Sequence, residues 1–137
     1  MYATMVGVSI PVVGAAIIRD GRVLAARRAR PAALAGRWEF PGGKVEAGES
    51  DAAALVRECQ EELGVTVAVG ARLGDAMNEA IRLTLYAATL VAGTPEPLED
   101  HDELRWLSAI ELGEVGWLPI DLALLPAVAD VLAEGLR

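Results

Sequence analysis

Cysteine, histidine and aromatic residues are scarce in this sequence. Cys59 is the only cysteine among 137 residues, so an internal disulfide is impossible and a disulfide-stapled secreted domain is excluded. His101 is the only histidine; a role in orienting a phosphate group is one interpretation, and a position in a surface loop is the preferred one. Aromatic residues make up 4% of the chain, which leaves alanine, valine and leucine to fill most of the core.

Positive charge is also in short supply. The chain has 12 Lys and Arg residues against 20 Asp and Glu residues, and its net charge is −8. Nucleic-acid polymers are held through their phosphates by Lys and Arg, so this balance argues against such a partner. A small phosphate-bearing ligand stays possible, because a divalent cation bound by carboxylates inverts the local charge.

No hydrophobic run is long and uninterrupted enough to suggest a membrane span. The apolar N-terminal stretch is broken by Pro11 and Gly14, ends at Arg19 and Asp20, and has no basic segment before it. It is therefore predicted to be a buried strand rather than a signal peptide or membrane span, with a cytoplasmic location as the default. A length of 137 residues predicts one domain over 1–137.

The pattern of apolar residues and turn signals predicts a mixture of strands and helices. Strands are predicted over residues 12–18, 23–26, 39–44, 65–73, 81–91 and 104–107. Helices are predicted over 52–63, over 108–112 with Ser108 as its cap, and over 122–136. This mixture predicts an α/β fold, a helix–sheet–helix sandwich with a mixed sheet.

The clearest predicted element is the helix over 52–63. Ser50 is a good N-cap, and Gly64 is the expected C-terminal stop. Leu55, Cys59 and Leu63 recur every fourth residue and form one apolar stripe. Cys59 is therefore predicted to be a core residue and not a nucleophile.

Three carboxylates crowd the end of this helix. Glu58, Glu61 and Glu62 share one face, with Cβ atoms about 5–6 Å apart. Like charges at this spacing are unfavourable, and glutamates near a helix C-terminus also oppose the helix dipole. A solvated acidic face is the simple interpretation. The alternative is a site for Mg²⁺ or Mn²⁺, which prefer carboxylate oxygens.

The residues around the carboxylates favour the metal site. Gly43 is followed after five residues by Glu49, and after seven more by "RECQEELGV". This pattern resembles the Nudix box, with Cys59 where an aliphatic residue is usual. The segments 36–50 and 118–128 are similar to the MutT and CTP pyrophosphohydrolase-like branch. The resemblance implies the Nudix α/β/α sandwich, with a mixed sheet between helices.

The resemblance also implies roles for the acidic residues and their neighbours. Arg57 is expected to pair with Glu49 or Glu61, and so to hold the acidic face in place. The expected catalytic residues are Glu49, Arg57, Glu58, Glu61, Glu62 and Asp100. The expected metal ligands are Gly42, Glu58, Glu61, Glu62 and Asp100, with Glu61 alternatively orienting the attacking water.

A second group of residues is expected to bind the substrate: Arg28, Glu39, Phe40, Lys44 and Asp121. Arg27 or Arg30 could replace Arg28 as the phosphate contact. Phe40 either stacks on the base or belongs to the core. Asp121 either reads the base edge or caps the closing helix.

The implied activity is Mg²⁺-dependent hydrolysis of a nucleoside triphosphate to a monophosphate and pyrophosphate, with Mn²⁺ as a substitute. Oxidised purines such as 8-oxo-dGTP, whose removal sanitises the nucleotide pool, and pyrimidines such as CTP or dCTP stay open as substrates. The alternatives are a nucleoside-diphosphate-sugar or dinucleoside-polyphosphate hydrolase and a non-catalytic nucleotide-binding module.

The expected partner is a small nucleotide, and the chain is expected to be a monomer or homodimer. Trp106 is expected in the core, and Trp117 beside the base pocket.

Overall fold

The computed structural model describes residues 9–135 and shows a mixed sheet with helices on its two faces. Its strands are β1 (Ile10–Arg19), β2 (Arg22–Arg28), β3 (Trp38–Glu39), β4 (Gly42–Lys44), β5 (Thr66–Met77), β6 (Ile81–Ala92) and β7 (His101–Leu107). Its helices are α1 (Asp51–Leu63), α2 (Pro119–Leu122) and α3 (Leu125–Glu134), with a 3₁₀ helix at Leu112–Glu114. In this part of the chain, no helix is long and apolar enough to cross a membrane.

Strand β1 lies at the centre of the sheet and makes it mixed. Residues 10–17 pair with β6 in parallel, and 12–14 pair with β4 in the antiparallel direction. The last two residues of β1 form an antiparallel hairpin with β2. The predicted N-terminal strand is thus confirmed from Ile10 onward, and residues 1–8 lie outside the described part of the chain.

Alternate residues of β1 contribute to two hydrophobic cores. Val13 and Ile17 pack on the face covered by α1, together with Leu55 and Cys59. Ala16 points to the opposite face, where the core is closed by α3. One core on each side of a sheet is the predicted helix–sheet–helix sandwich.

Helix α1 ends at the predicted residue, Leu63, and begins at Asp51, one residue before the predicted start. The Ser50 hydroxyl accepts a hydrogen bond from the Ala53 N–H, and Gly64 adopts the left-handed conformation with φ of 69°. The Tyr86 hydroxyl donates to the Asp51 carboxylate at 2.6 Å and ties the first turn of the helix to β6. Burial raises the pKa of the Cys59 thiol to about 12, which agrees with a core role.

The helices predicted over 108–112 and 122–136 are corrected by the structure. Ser108 caps no helix; its N–H donates to the Glu111 carboxylate in a turn that precedes the 3₁₀ helix. The closing segment forms two helices, α2 and α3, instead of one. Pro126 has no N–H to continue a helix from residue 122, so a new helix begins at Leu125 with this proline in its first turn. Leu136 lies outside the described residues.

The predicted surface position of His101 is also wrong. Strand β7 starts at residue 101 rather than 104, and His101 is 4% exposed opposite Arg28 of β2. Trp106, predicted in the core, is half-buried at the edge of the α1-side core. The Arg19 guanidinium lies 4.4 Å from the centre of its ring.

Candidate active site

Two carboxylates of α1 lie against the glycines of strand β4; that of Glu62 is buried and that of Glu58 is partly buried. Glu62 is 7% exposed, and its Oε1 accepts the Gly42 N–H at 3.0 Å. The Glu58 carboxylate lies so close to Gly43 that a Cβ there would come within 2.3 Å of Glu58 Cδ. Only glycine leaves room for this carboxylate. A solvated acidic face is therefore the wrong interpretation for these two glutamates.

Burial, nearly complete for Glu62 and partial for Glu58, favours the protonated form of both carboxyl groups. Burial raises the pKa of Glu62 to about 8, with the charges of Glu39 and Glu58 adding to the effect. Burial also raises the pKa of Glu58, against the opposing influence of Arg57. A bound cation would reverse this tendency, because it stabilises the ionised form of both groups.

Arg57 links the rest of the acidic cluster. Its Nε and Nη2 donate to the Glu49 carboxylate at 2.7 and 2.9 Å. Its Nη1 donates to Glu58 at 2.9 Å and to Glu61 at 3.1 Å, and Nη2 also reaches the Lys44 carbonyl. The hydrogen bonds from Arg57 lower the pKa of Glu49 to about 2. The expected pairing of Arg57 is confirmed, and it includes both Glu49 and Glu61.

A cavity of about 770 Å³ lies beside this cluster and reaches Gly42 and Gly43. Its size falls within the range usual for small-molecule sites. The five predicted substrate-binding residues all line it: Arg28, Glu39, Phe40, Lys44 and Asp121. The structure thus brings together residues from β2, β3, β4 and α2, which are far apart in the sequence.

The three candidate arginines have different surroundings. Arg28 lines the cavity, where its Nη1 donates to Glu39 at 2.9 Å. Arg27 forms an ion pair with Asp102 at 2.8 Å, and Arg30 forms one with Asp100 at the same distance. Neither of these two arginines lines the cavity. Arg28 is therefore the arginine that a ligand in the cavity would meet.

Asp121 does not cap the closing helix, contrary to one of its two predicted roles. It lies inside α2, whose N-terminal residue is Pro119, and its Oδ1 accepts the Phe40 N–H at 3.0 Å. Asp121 is 3% exposed, and burial raises the pKa of its carboxyl to about 7. The nearby charge of Glu39 acts in the same direction.

Phe40 is both a core residue and part of the cavity wall. It is 4% exposed, and its ring centre lies 4.7 Å from that of Trp117. Trp117 packs behind Phe40, does not line the cavity, and donates its Nε1–H to the Leu112 carbonyl. The expectation that Trp117 borders the base pocket is therefore wrong, since Phe40 stands between them.

The acidic residues suit a hard divalent cation. Glu58 and Glu62 supply two partly desolvated carboxylates beside the glycine turn, which is the donor chemistry that Mg²⁺ and Mn²⁺ prefer. Glu61 is about half exposed and bonded to Arg57, and Asp100 is bonded to Arg30 outside the cavity lining. Within residues 9–135, no three His, Cys, Asp or Glu side chains are already gathered at metal-binding distances.

Sequence reasoning missed the hairpin between β5 and β6. Met77, Asn78 and Glu79 line the cavity, and Met77 is 63% exposed at its rim. Sequence reasoning also placed His101 in a surface loop, whereas His101 is buried and its Nε2 forms a hydrogen bond with Glu39. The pairing of distant strands brings these residues to the site, and no local pattern marks them.

The fold and the site define a class: an α/β/α sandwich with buried and partly buried helix carboxylates beside a cavity lined by both charged and apolar residues. The NUDIX domain family matches residues 8–130. The chain therefore belongs to the NUDIX family and is a Nudix hydrolase; enzymes of this family generally use a divalent metal.

Several relatives are similar over most of the chain. A Mycobacterium tuberculosis protein, provisionally named 8-oxo-dGTP diphosphatase 2, is 48% identical over 126 residues, which cover 88% of this chain and 89% of the relative. The Escherichia coli CTP pyrophosphohydrolase is 41% identical over 122 residues, covering 86% and 90%. The solution structure of the E. coli ORF135 protein matches with a TM-score of 0.76 and 38% identity, covering 92% of each chain.

Proposed function

We propose that this protein hydrolyses nucleoside triphosphates to nucleoside monophosphates and pyrophosphate in the presence of Mg²⁺, with Mn²⁺ as a substitute. The observation that carries the proposal is the carboxylate pair of Glu62, which is buried, and Glu58, which is partly buried, packed on the β4 glycines that line the cavity. The names of the two relatives support substrates of two kinds, 8-oxo-dGTP and CTP, and we include dCTP as the deoxy counterpart of CTP.

The residues of the site divide into those that hold the cation and those that hold the phosphates. Glu58 and Glu62 would bind the cation, with the Gly42 carbonyl, Glu61 and Asp100 as the further proposed ligands. When bound, Mg²⁺ neutralises phosphate oxygens and lowers the pKa of water. Glu61 either completes the ligand set or orients the attacking water. Arg28 and Lys44 place two positive charges in the cavity, where they would attract the phosphates and neutralise part of their negative charge.

Two carboxylates in the cavity are suited to recognise the base. Asp121 and Glu39 both line it, and an ionised carboxylate only accepts hydrogen bonds. Cytosine N4 and guanine N1 and N2 offer the matching donors. This chemistry fits both substrate kinds, so the site geometry does not by itself choose between a purine and a pyrimidine.

The proposal is tested by measuring pyrophosphate release from CTP, dCTP and 8-oxo-dGTP with Mg²⁺. A nucleoside-diphosphate sugar and a dinucleoside polyphosphate serve as comparison substrates at the same concentration. Because their cleavage releases no pyrophosphate, the formation of nucleoside monophosphate is measured for all substrates. We expect a triphosphate to have the highest kcat/KM and to yield pyrophosphate rather than phosphate. Faster cleavage of either comparison substrate would contradict the proposed substrate class, and nucleotide binding without turnover would point to a binding module.

Mg²⁺ is expected to stabilise the fold. The ion relieves the repulsion between Glu58 and Glu62 and binds only the folded chain, so a 100-fold excess over its Kd adds about 2.7 kcal/mol. For a domain of this size, we expect the melting temperature to rise by about 5–10 °C. Thermal melts with Mg²⁺ and with EDTA measure the effect. Equal melting temperatures in both, under conditions where the enzyme turns over, would contradict a site at these glutamates.

Arg57 is expected to be required for full turnover, although it is not a proposed metal ligand. It holds Glu49, Glu58 and Glu61, and loss of the groups that orient metal ligands typically lowers activity by about 10- to 100-fold. We expect this decrease for Arg57→Gln in the pyrophosphate assay. The matched control is Arg82→Gln, which breaks an exposed ion pair with Asp75; neither of these residues lines the cavity or bonds to the acidic cluster. If Arg57→Gln were as active as Arg82→Gln, this would contradict the role of Arg57 in orienting the glutamates.

A further inference from the structure

Glu39 is held by two donors that come from different strands. His101 Nε2 lies 2.8 Å from Glu39 Oε2, and Arg28 Nη1 lies 2.9 Å from the same oxygen. Arg28 and His101 are paired across β2 and β7, so the sheet fixes their separation. Both donors use Oε2, which leaves Oε1 available to a ligand in the cavity that Glu39 lines.

The bond to Glu39 is the one polar contact of the His101 ring in the described residues. The side chain is 0% exposed, and its Nδ1 has no hydrogen-bond partner in residues 9–135. A carboxylate oxygen accepts hydrogen bonds, so the ring tautomer with its N–H at Nε2 fits this contact and leaves Nδ1 buried without a partner. A buried unpaired nitrogen is unfavourable. A side chain that served packing alone would be better replaced by leucine.

We infer that His101 is a positioning residue for base recognition. By fixing Oε2 together with Arg28, it holds the Glu39 carboxylate in the one orientation in which Oε1 accepts a hydrogen bond from an amino group of the base. The inference rests on the proposed function, because it assigns to the same cavity a preference for certain nucleotide bases. Bases that present an N–H donor are accepted, and bases that present a carbonyl at that place are rejected by the acceptor-only carboxylate.

The test compares nucleotides that differ in one amino group. UTP carries a carbonyl where CTP carries its amino group, and ITP lacks the amino group of GTP. We expect His101→Leu to raise KM for the better substrate of each pair by about 10-fold, to leave kcat within about 3-fold, and to lower the preference for the amino-bearing nucleotide by about 10-fold. His101→Gln, which returns an N–H donor, is expected to restore most of the preference.

A matched variant separates positioning from stability. Leu104 lies on the same strand, half-buried against the α1-side core and away from the cavity lining. We expect Leu104→Ala to lower the melting temperature without changing either substrate preference. An unchanged preference in His101→Leu, or the same change in Leu104→Ala, would overturn the inference.

The position of Glu39 gives a readout that needs no turnover. We expect a crystal structure of His101→Leu to show the Glu39 carboxylate rotated away from its wild-type place, and that of His101→Gln to show it retained. A carboxylate unmoved in the leucine variant would overturn the positioning role. A wild-type enzyme that releases no pyrophosphate from any nucleotide would contradict the proposed function instead, and the crystal structures would still decide the role of His101.

Discussion

Glu62→Gln is expected to lose at least about 100-fold in Mg²⁺-dependent turnover, more than the effect typical of groups that only orient metal ligands. The glutamine keeps an oxygen that accepts the Gly42 N–H at the position where Glu62 now accepts it. It removes the negative charge that we propose binds the cation. The pyrophosphate assay at saturating nucleotide and several Mg²⁺ concentrations measures the loss.

The same variant is expected to fold at least as well as the wild type. The pKa of Glu62 is raised to about 8 in the folded chain, so the stability linked to it is present below the ordinary value of 4.5 and is lost as the pH rises through 8. Without metal at pH 8, glutamine avoids this loss. Glu114→Gln, at an exposed pair with Arg105, is the control and should leave turnover unchanged. Turnover retained in Glu62→Gln would contradict the metal assignment.

Asp121→Asn is expected to stabilise the protein at pH 8 by about 2–4 kcal/mol. The pKa of Asp121 is raised from 3.8 to about 7 by burial, so the folded chain binds a proton that the unfolded chain has released. The stability linked to this group is present below 3.8 and is lost as the pH rises through 7. Asparagine does not titrate, and its amide oxygen is still able to accept the Phe40 N–H.

Urea unfolding at several pH values tests this expectation. The difference in free energy of unfolding between Asp121→Asn and the wild type should grow between about pH 4 and 7 and level off above. Asp130→Asn, an exposed position on α3, is the control and should stay within about 0.5 kcal/mol of the wild type at every pH. A difference that does not depend on pH would show that the Asp121 carboxyl is not perturbed by burial.

Local patterns predicted the acidic helix and its surroundings well. Ser50, the spacing of the apolar stripe and Gly64 determine the bounds of α1 through short-range interactions, so they can be recognised without the fold. The requirement for glycine at Gly43 is different, because it comes from a contact between β4 and α1 in which the Glu58 carboxylate occupies the place of a side chain.

The errors concern features that depend on distant partners. The polar segment at residue 101 looked like a loop, yet it pairs with β2 and buries His101. The helix predicted over 122–136 is divided in the structure, because Pro126 starts a new helix in its first turn. The hairpin at Met77 reaches the cavity through the pairing of β5 with β6, which no single segment reveals.

The central claim is that a divalent cation bound by Glu58 and Glu62 places the polyphosphate of a nucleotide for attack by water. The most direct measurement is a crystal structure with Mn²⁺ and a non-hydrolysable triphosphate analogue, in which the anomalous signal locates the metal. We predict Mn²⁺ bound by carboxylate oxygens of both glutamates and by phosphate oxygens in the cavity beside Gly42. Manganese bound elsewhere, with neither glutamate as a ligand, would contradict this assignment.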